Sequence, residues 1–131
     1  MICAAGSSAA QPVFEDLSGV LPPHVYSGGW EHFVGGGVAV FDCNGDGLPE
    51  IYAAGGEAPA RLFLNRTSGP GGPFSFALGD GVPELTAVTG AYPLDINSDG
   101  ILDLAVLRVG ENKLLTGLGE CRFTDAGAAL G

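Results

Sequence analysis

The stretch DCNGDGLPE, residues 42–50, has acidic or amide side chains at its first, third, fifth and ninth positions. Its sixth position is a glycine, which can turn the backbone sharply because it lacks a Cβ. A second stretch, DINSDGILD at residues 95–103, repeats this spacing 53 residues later. Carboxylates packed this closely repel one another unless a cation lies among them. The pattern therefore predicts two loops that each hold a metal ion.

Both predicted ligand shells contain only oxygen, which suits Ca²⁺, a cation that binds about 6–8 oxygens. Zinc would favour Cys or His ligands, and neither loop offers such a set. An ordinary turn of Asp, Asn and Gly is the alternative, but it needs only about two such residues. The seventh residue of each loop would contribute its backbone carbonyl. The predicted ligands are Asp42, Asn44, Asp46, Leu48 and Glu50 in the first loop, and Asp95, Asn97, Asp99, Ile101 and Asp103 in the second.

The segments on either side of the loops distinguish them from helix-flanked calcium loops. An EF-hand or dockerin loop usually has a carboxylate at its twelfth position and a helix on each side. Here the twelfth positions are Ala53 and Val106, in the runs IYAA and LAVL, which have the character of strands. Each loop is therefore predicted to join two strands.

A larger unit surrounds each loop, at about residues 37–77 and 90–126, and each unit reads as four short strands. A period near 50 residues with four strands per unit is typical of β-propeller blades. The sequence predicts an all-β fold of antiparallel four-stranded blades, about two in number and part of a larger propeller. Residues 13–17, VFEDL, are predicted to be a strand left over from a preceding unit.

The sequence predicts two segments, a short N-terminal segment and a propeller segment. Residues 1–12 are rich in small side chains and are predicted to be a flexible start or the remnant of a secretory signal. Residues 13–131 form the predicted propeller segment. Cys3, Cys43 and Cys121 show no paired spacing, and buried or unpaired thiols are the favoured interpretation; one disulfide plus a leftover cysteine is the alternative.

The charge of the chain excludes several classes of partner. The formal net charge is −10, and the five basic residues are scattered along the sequence. Nucleic acids and anionic lipid surfaces require clustered positive charge, so neither is an expected partner. No run of about 18 apolar residues is present, so no membrane insertion is expected.

The two strand–loop–strand units resemble FG-GAP/VCBS repeats, as found in integrin α-like propellers, and look closest to the cartilage acidic protein and UnbV-type group. The resemblance implies structural Ca²⁺ in both hairpin loops, a β-propeller, and a secreted, extracellular or periplasmic location. It implies adhesion or binding to a protein or glycan, and no reaction. Because two blades leave end faces uncovered, further blades or self-association are expected.

An alternative function is the propeller portion of a secreted enzyme, with His24 or His32 in its pocket. The sequence has no nucleophile or cofactor motif, so we expect no enzyme activity. Asn65, Arg66 and Thr67 fit an N-glycosylation acceptor, and a structural Asn that ends the third strand is the alternative.

Overall fold

A computed structural model describes residues 11–127 as two four-stranded antiparallel sheets, which confirms the all-β prediction. In this part of the chain the helical elements are two single 3-10 turns, at Ser18–Val20 and Trp30–His32. No helix among these residues has the length and apolar character needed to cross a membrane. The first sheet contains β1 (Val38–Phe41), β2 (Glu50–Ala53), β3 (Arg61–Asn65) and β4 (Phe76–Gly79), and the second contains β5 (Val88–Leu94), β6 (Asp103–Arg108), β7 (Lys113–Gly117) and β8 (Phe123–Asp125).

Each sheet corresponds to one of the two repeat units, because every strand pairs with the next strand in the chain. In the first hairpin Phe41 pairs with Glu50, and in the second Leu94 pairs with Asp103. Each acidic loop therefore connects the first two strands of its sheet. The strands on both sides also place Ala53 and Val106 in sheet, as the sequence predicts.

The hydrophobic core lies between the two sheets. Val106 and Leu115 of the second sheet are fully buried, as is Tyr52 of the first. Phe41 and Phe123 meet across the interface with their ring centroids 6.1 Å apart in an edge-to-face arrangement. The core residues are Ala39, Phe41, Tyr52, Ala54, Ala60 and Leu62 in the first unit, and Val88, Ala91, Leu104, Val106, Leu115, Cys121 and Phe123 in the second.

Each sheet also has an apolar face that the other sheet does not cover. On the second sheet, Tyr92 is 61% exposed and Leu94 is 40% exposed. The residues 53 positions earlier, Ala39 and Phe41, are buried against the second sheet. Equivalent apolar faces of the two repeats therefore have different surroundings. The face of the first sheet lies in the interface, and the face of the second sheet lies in solvent. The two described sheets do not form a closed ring.

The prediction of a strand at residues 13–17 is wrong. This segment forms no strand, and the side chains of Val13 and Phe14 are more than nine-tenths exposed. A strand needs a neighbouring edge to satisfy its backbone groups, and none of the described strands pairs with this segment.

The favoured interpretation of the cysteines is also wrong, because Cys43 and Cys121 form a disulfide. The two residues are 78 positions apart in sequence, but stacking of the sheets brings their Cα atoms to 4.7 Å. The amide of Cys121 also donates to the Cys43 carbonyl at 3.2 Å. The bond joins the first acidic loop to the turn between β7 and β8. Cys3, with most of the predicted 1–12 segment, lies outside the described residues.

Candidate metal centres

The two acidic loops share a common hydrogen-bond network at their first position. The carboxylate of Asp42 accepts the amide of Gly47 at 2.8 Å, and that of Asp95 accepts the amide of Gly100 at 3.0 Å. The other oxygen of Asp42 accepts the amide of Gly45 at 2.8 Å, whereas the other oxygen of Asp95 accepts the amide of Asp99, one position later in its loop, at 3.1 Å. The first carboxylate therefore lies inside the bend of each loop.

The third and fifth positions are joined by the same two contacts in both loops. The Asn44 amide group donates to Asp46 at 3.0 Å, and Asn97 donates to Asp99 at 2.8 Å. Each Asn oxygen in turn accepts the backbone amide of the fifth residue, at 3.1 and 3.0 Å. The structure therefore brings the third and fifth side chains of each loop together.

The backbone of the two loops bends at the same places. Gly47 and Gly100, at the sixth position, have φ values of 79° and 85°, in the left-handed region that a glycine adopts without steric cost. The fourth position is also left-handed, with φ of 77° at Gly45 and 62° at Ser98. Ser98 therefore carries a steric strain that Gly45 avoids.

The ninth positions, Glu50 and Asp103, lie in the interior instead of on the exposed loop surface. Each accepts the amide of the second loop residue at 3.0 Å. Each also accepts an amide from the third strand of its sheet, from Asn65 at 3.3 Å or from Gly117 at 2.8 Å. The ninth side chain thus ties the base of the loop to the sheet. A carboxylate oxygen has a second lone pair, so a ligand role at this position stays a prediction.

Local contacts shift the pKa values of two loop carboxyls in opposite directions. The backbone amide of Gly47, helped by further loop amides, lowers the pKa of Asp42 and so favours its charged form. Burial raises the pKa of Glu50, and the charges of Asp46 and Asp42 add to that rise. The negative charge of the first loop is therefore favoured at Asp42 and disfavoured at the buried Glu50.

The donor chemistry of both loops fits Ca²⁺. Positions one, three and five present carboxylate and amide oxygens on a loop of fixed shape, and most of these side chains are exposed. Leu48 and Ile101 follow the sixth-position glycines, where their carbonyls are free of strand pairing. An oxygen-only set of this kind matches a hard cation better than zinc.

Sequence reasoning missed the residues that hold the base of each loop. The backbone amides of Asn65 and Gly117 lie in equivalent places on β3 and β7, but an amide leaves no trace in the sequence pattern. The disulfide at Cys43 is a further support for the first loop. At the equivalent second position the other loop has Ile96, so the second loop has no such crosslink.

Asn65 has a structural environment that favours its role in a turn. The residue is 8% exposed, and its Nδ2, the atom to which a glycan would be attached, donates to the Pro49 carbonyl at 3.1 Å. Its Oδ1 accepts the amide of Thr67 at 3.0 Å. These contacts fit a side chain that ends the third strand.

The two histidines lie in separate environments. Nε2 of His24 contacts the Ala54 carbonyl at 2.8 Å, and its ring packs edge-on against Phe63. The shallow depression around His24 is lined by Pro and Ala residues with Val25 and Arg61, and no carboxylate lines it. His32 is buried in the second 3-10 turn.

In a comparison with known families, residues 42–106 match the FG-GAP-like repeat. Searches of curated proteins and of solved structures gave no significant match. The matched segment begins at the first residue of the first acidic loop and extends past the end of the second. Together with the two four-stranded antiparallel sheets, this match supports a relationship of the chain to the FG-GAP family.

Proposed function

We propose that this chain is a calcium-binding module of the β-propeller type, in which Ca²⁺ has a structural role in two hairpin loops. The FG-GAP repeat itself suggests a β-propeller-type module. The observation that carries the calcium proposal is the repetition of one loop geometry. Two stretches 53 residues apart hold their third and fifth side chains with the same contacts, and in both the first carboxylate accepts the amide of the sixth-position glycine. Both stretches also turn at the same two positions.

Binding of Ca²⁺ would relieve a specific electrostatic cost. Each loop and its base carry three carboxylates, and the chain has a formal charge of −10. The loop amides compensate part of this charge, but they contribute only partial positive charge. A divalent ion among the exposed oxygens would therefore stabilise the folded form more than the unfolded form. The expected gain is about 2.7 kcal/mol per site when free Ca²⁺ exceeds its Kd 100-fold.

The test is isothermal titration of the full chain with Ca²⁺, together with thermal melting in calcium and in chelator. Wild type should bind two ions, and Asp42→Asn and Asp95→Asn should each bind one. Asp80→Asn makes the same change of charge at an exposed position outside the loops and should still bind two. A melting midpoint that calcium leaves unchanged would contradict the proposal.

The proposed metal role is structural, and no reaction is proposed for this chain. A catalytic ion needs an open coordination position that faces a cleft. In these loops the carboxylates are engaged by the loop's own amides. Hydrolytic activity that disappears in Asp99→Ala, with the fold retained, would contradict a structural role.

The proposed location is secreted, extracellular or periplasmic, and the Cys43–Cys121 disulfide supports it. Disulfides persist in oxidising compartments and are rare where glutathione keeps thiols reduced. Non-reducing gel mobility of the native protein, compared before and after reduction, would test this proposal. Thiols that remain fully reactive in protein isolated under alkylating conditions would oppose it.

The proposed ligand is a protein or a glycan, and one surface feature supports contact with such a ligand. Trp30 and Phe33 stack with centroids 4.7 Å apart, and Trp30 is 80% exposed. Exposed aromatic pairs provide apolar area with little loss of side-chain entropy on binding. Binding to immobilised glycans that Trp30→Ala abolishes would support a glycan ligand. Binding unaffected by that change would place the contact elsewhere.

A further inference from the structure

A third group of metal-ligating side chains lies outside the acidic loops. Glu31 and His32 belong to the second 3-10 turn, and Glu57 follows β2. One ligand atom from each of the three residues lies within 4.8 Å of the other two. None of the three residues lies in either acidic loop, although Glu57 falls within the segment that matches the FG-GAP-like repeat. The sequence analysis did not predict this group.

Backbone contacts hold the two segments of this group together. The amide of Ser27 donates to the Gly55 carbonyl at 3.0 Å, and the amide of Glu57 donates to the Ser27 carbonyl at 2.9 Å. The amide of Gly29 also donates to Oε1 of Glu57 at 3.3 Å. These contacts fix the backbone position of Glu57 relative to the 3-10 turn that carries Glu31 and His32.

The imidazole of His32 is the observation that points to a ligand. His32 is 5% exposed, and neither Nδ1 nor Nε2 has a hydrogen-bond partner among the described residues. The ring packs edge-on against Tyr26, with centroids 6.4 Å apart. A Cβ at Gly28 would lie 2.5 Å from Nδ1, so the ring also lies close against the backbone there. A buried polar group without a partner costs about 1–3 kcal/mol, and an ion bound to it would offset this cost.

The chemistry of the three ligands differs from that of the loops. An imidazole nitrogen with two carboxylate oxygens suits a borderline metal such as Zn²⁺, with water in the fourth position. The two glutamates are exposed, so an ion can reach the site from solvent. We propose that Glu31, His32 and Glu57 form a third metal site, independent of the calcium loops, that binds Zn²⁺ or a similar divalent transition metal.

The experiment is titration of the full chain with Zn²⁺ in saturating Ca²⁺, so that the acidic loops are occupied. All variants carry Cys3→Ser to remove a cysteine that could itself bind zinc. The wild-type background should bind one Zn²⁺, and His32→Gln should bind none. Loss of an outer-shell partner costs 10–100-fold in affinity, so Glu57→Gln should weaken binding by at least about 10-fold.

The matched control is His24→Gln, which removes a histidine whose Nε2 already has a backbone partner. It should leave zinc affinity unchanged. Binding of Co²⁺ gives a second readout, since its visible spectrum reports coordination directly. If His32→Gln fails to fold, Glu31→Gln and Glu57→Gln decide the question. No zinc binding by wild type, or equal binding by wild type and both glutamate variants, would overturn the proposal.

Discussion

Removal of the Cys43–Cys121 disulfide should strongly destabilise the folded chain. In the chain-entropy description, a crosslink restricts the unfolded state by an amount that grows with the length of the closed loop. For a sequence separation of 78 residues the contribution is about 4.5 kcal/mol at 25 °C. Total stabilities of about 5–15 kcal/mol are usual, so the loss would be a large part of the total.

The measurement is urea unfolding of Cys43→Ser/Cys121→Ser in a Cys3→Ser background, with wild type in the same background. Free Ca²⁺ must be held constant, because a ligand that binds only the folded form shifts apparent stability. Reductant should lower the stability of the disulfide-containing protein to that of the double variant, and should leave the double variant unchanged.

A loss below about 1 kcal/mol would refute this reasoning, because the measured range for native disulfides of small domains is about 2–5 kcal/mol. The double variant should also affect the two acidic loops differently. Cys43 lies inside the first loop, where its amide donates to Glu50. The equivalent Ile96 has no such crosslink, so calcium affinity should fall in the first loop and stay constant in the second.

Three further changes test other parts of the structure. Tyr52→Phe should stabilise the chain by about 1 kcal/mol in urea unfolding, because the buried Tyr52 hydroxyl has no hydrogen-bond partner within residues 11–127. Burial also raises the pKa of Tyr52 to about 12, whereas an exposed tyrosine has a pKa of about 10. The unfolded state therefore loses this proton first, so stability should fall as pH rises from about 10 towards 12, and this fall should be smaller in Tyr52→Phe. Ser98→Gly should relieve the left-handed strain in the second loop and raise the urea midpoint by an amount equivalent to about 0.5 kcal/mol, whereas Gly45→Ala should lower it. In light scattering, the apparent mass of wild type should rise with concentration while that of Tyr92→Asp should not; Leu118→Asp, an equal charge change outside this face, should behave as wild type.

The parts of the fold that sequence reasoning predicted depend on local patterns. The acidic loops repeat at a fixed spacing, and short apolar runs such as IYAA and LAVL follow them and predict the hairpins. The count of four short strands in each unit is also confirmed, because each sheet contains four strands. All of these features come from residues that are close together in the sequence.

The parts that sequence reasoning missed depend on how the two sheets stack. The disulfide joins residues that no spacing rule connects, and only the stacking brings them together. The inward position of Glu50 depends on an amide of the third strand. The strand predicted at residues 13–17 had a suitable composition but no edge with which to pair. Glu57 meets His32 through backbone contacts between distant segments, which the sequence pattern does not encode.

The contact between the two sheets has a direction, and this has a consequence for any assembly built from it. The face of Tyr92 and Leu94 is the repeat equivalent of the buried face of Ala39 and Phe41. A copy that stacked on this face would in turn present its own Tyr92 face, so copies would add head to tail, as a ring if the rotation closes and as an open filament if it does not. Within the chain the contact is made permanent by a disulfide at Cys43. In a contact between two chains, Ile96 occupies the position equivalent to Cys43 and cannot form a disulfide, so association of further copies would be reversible.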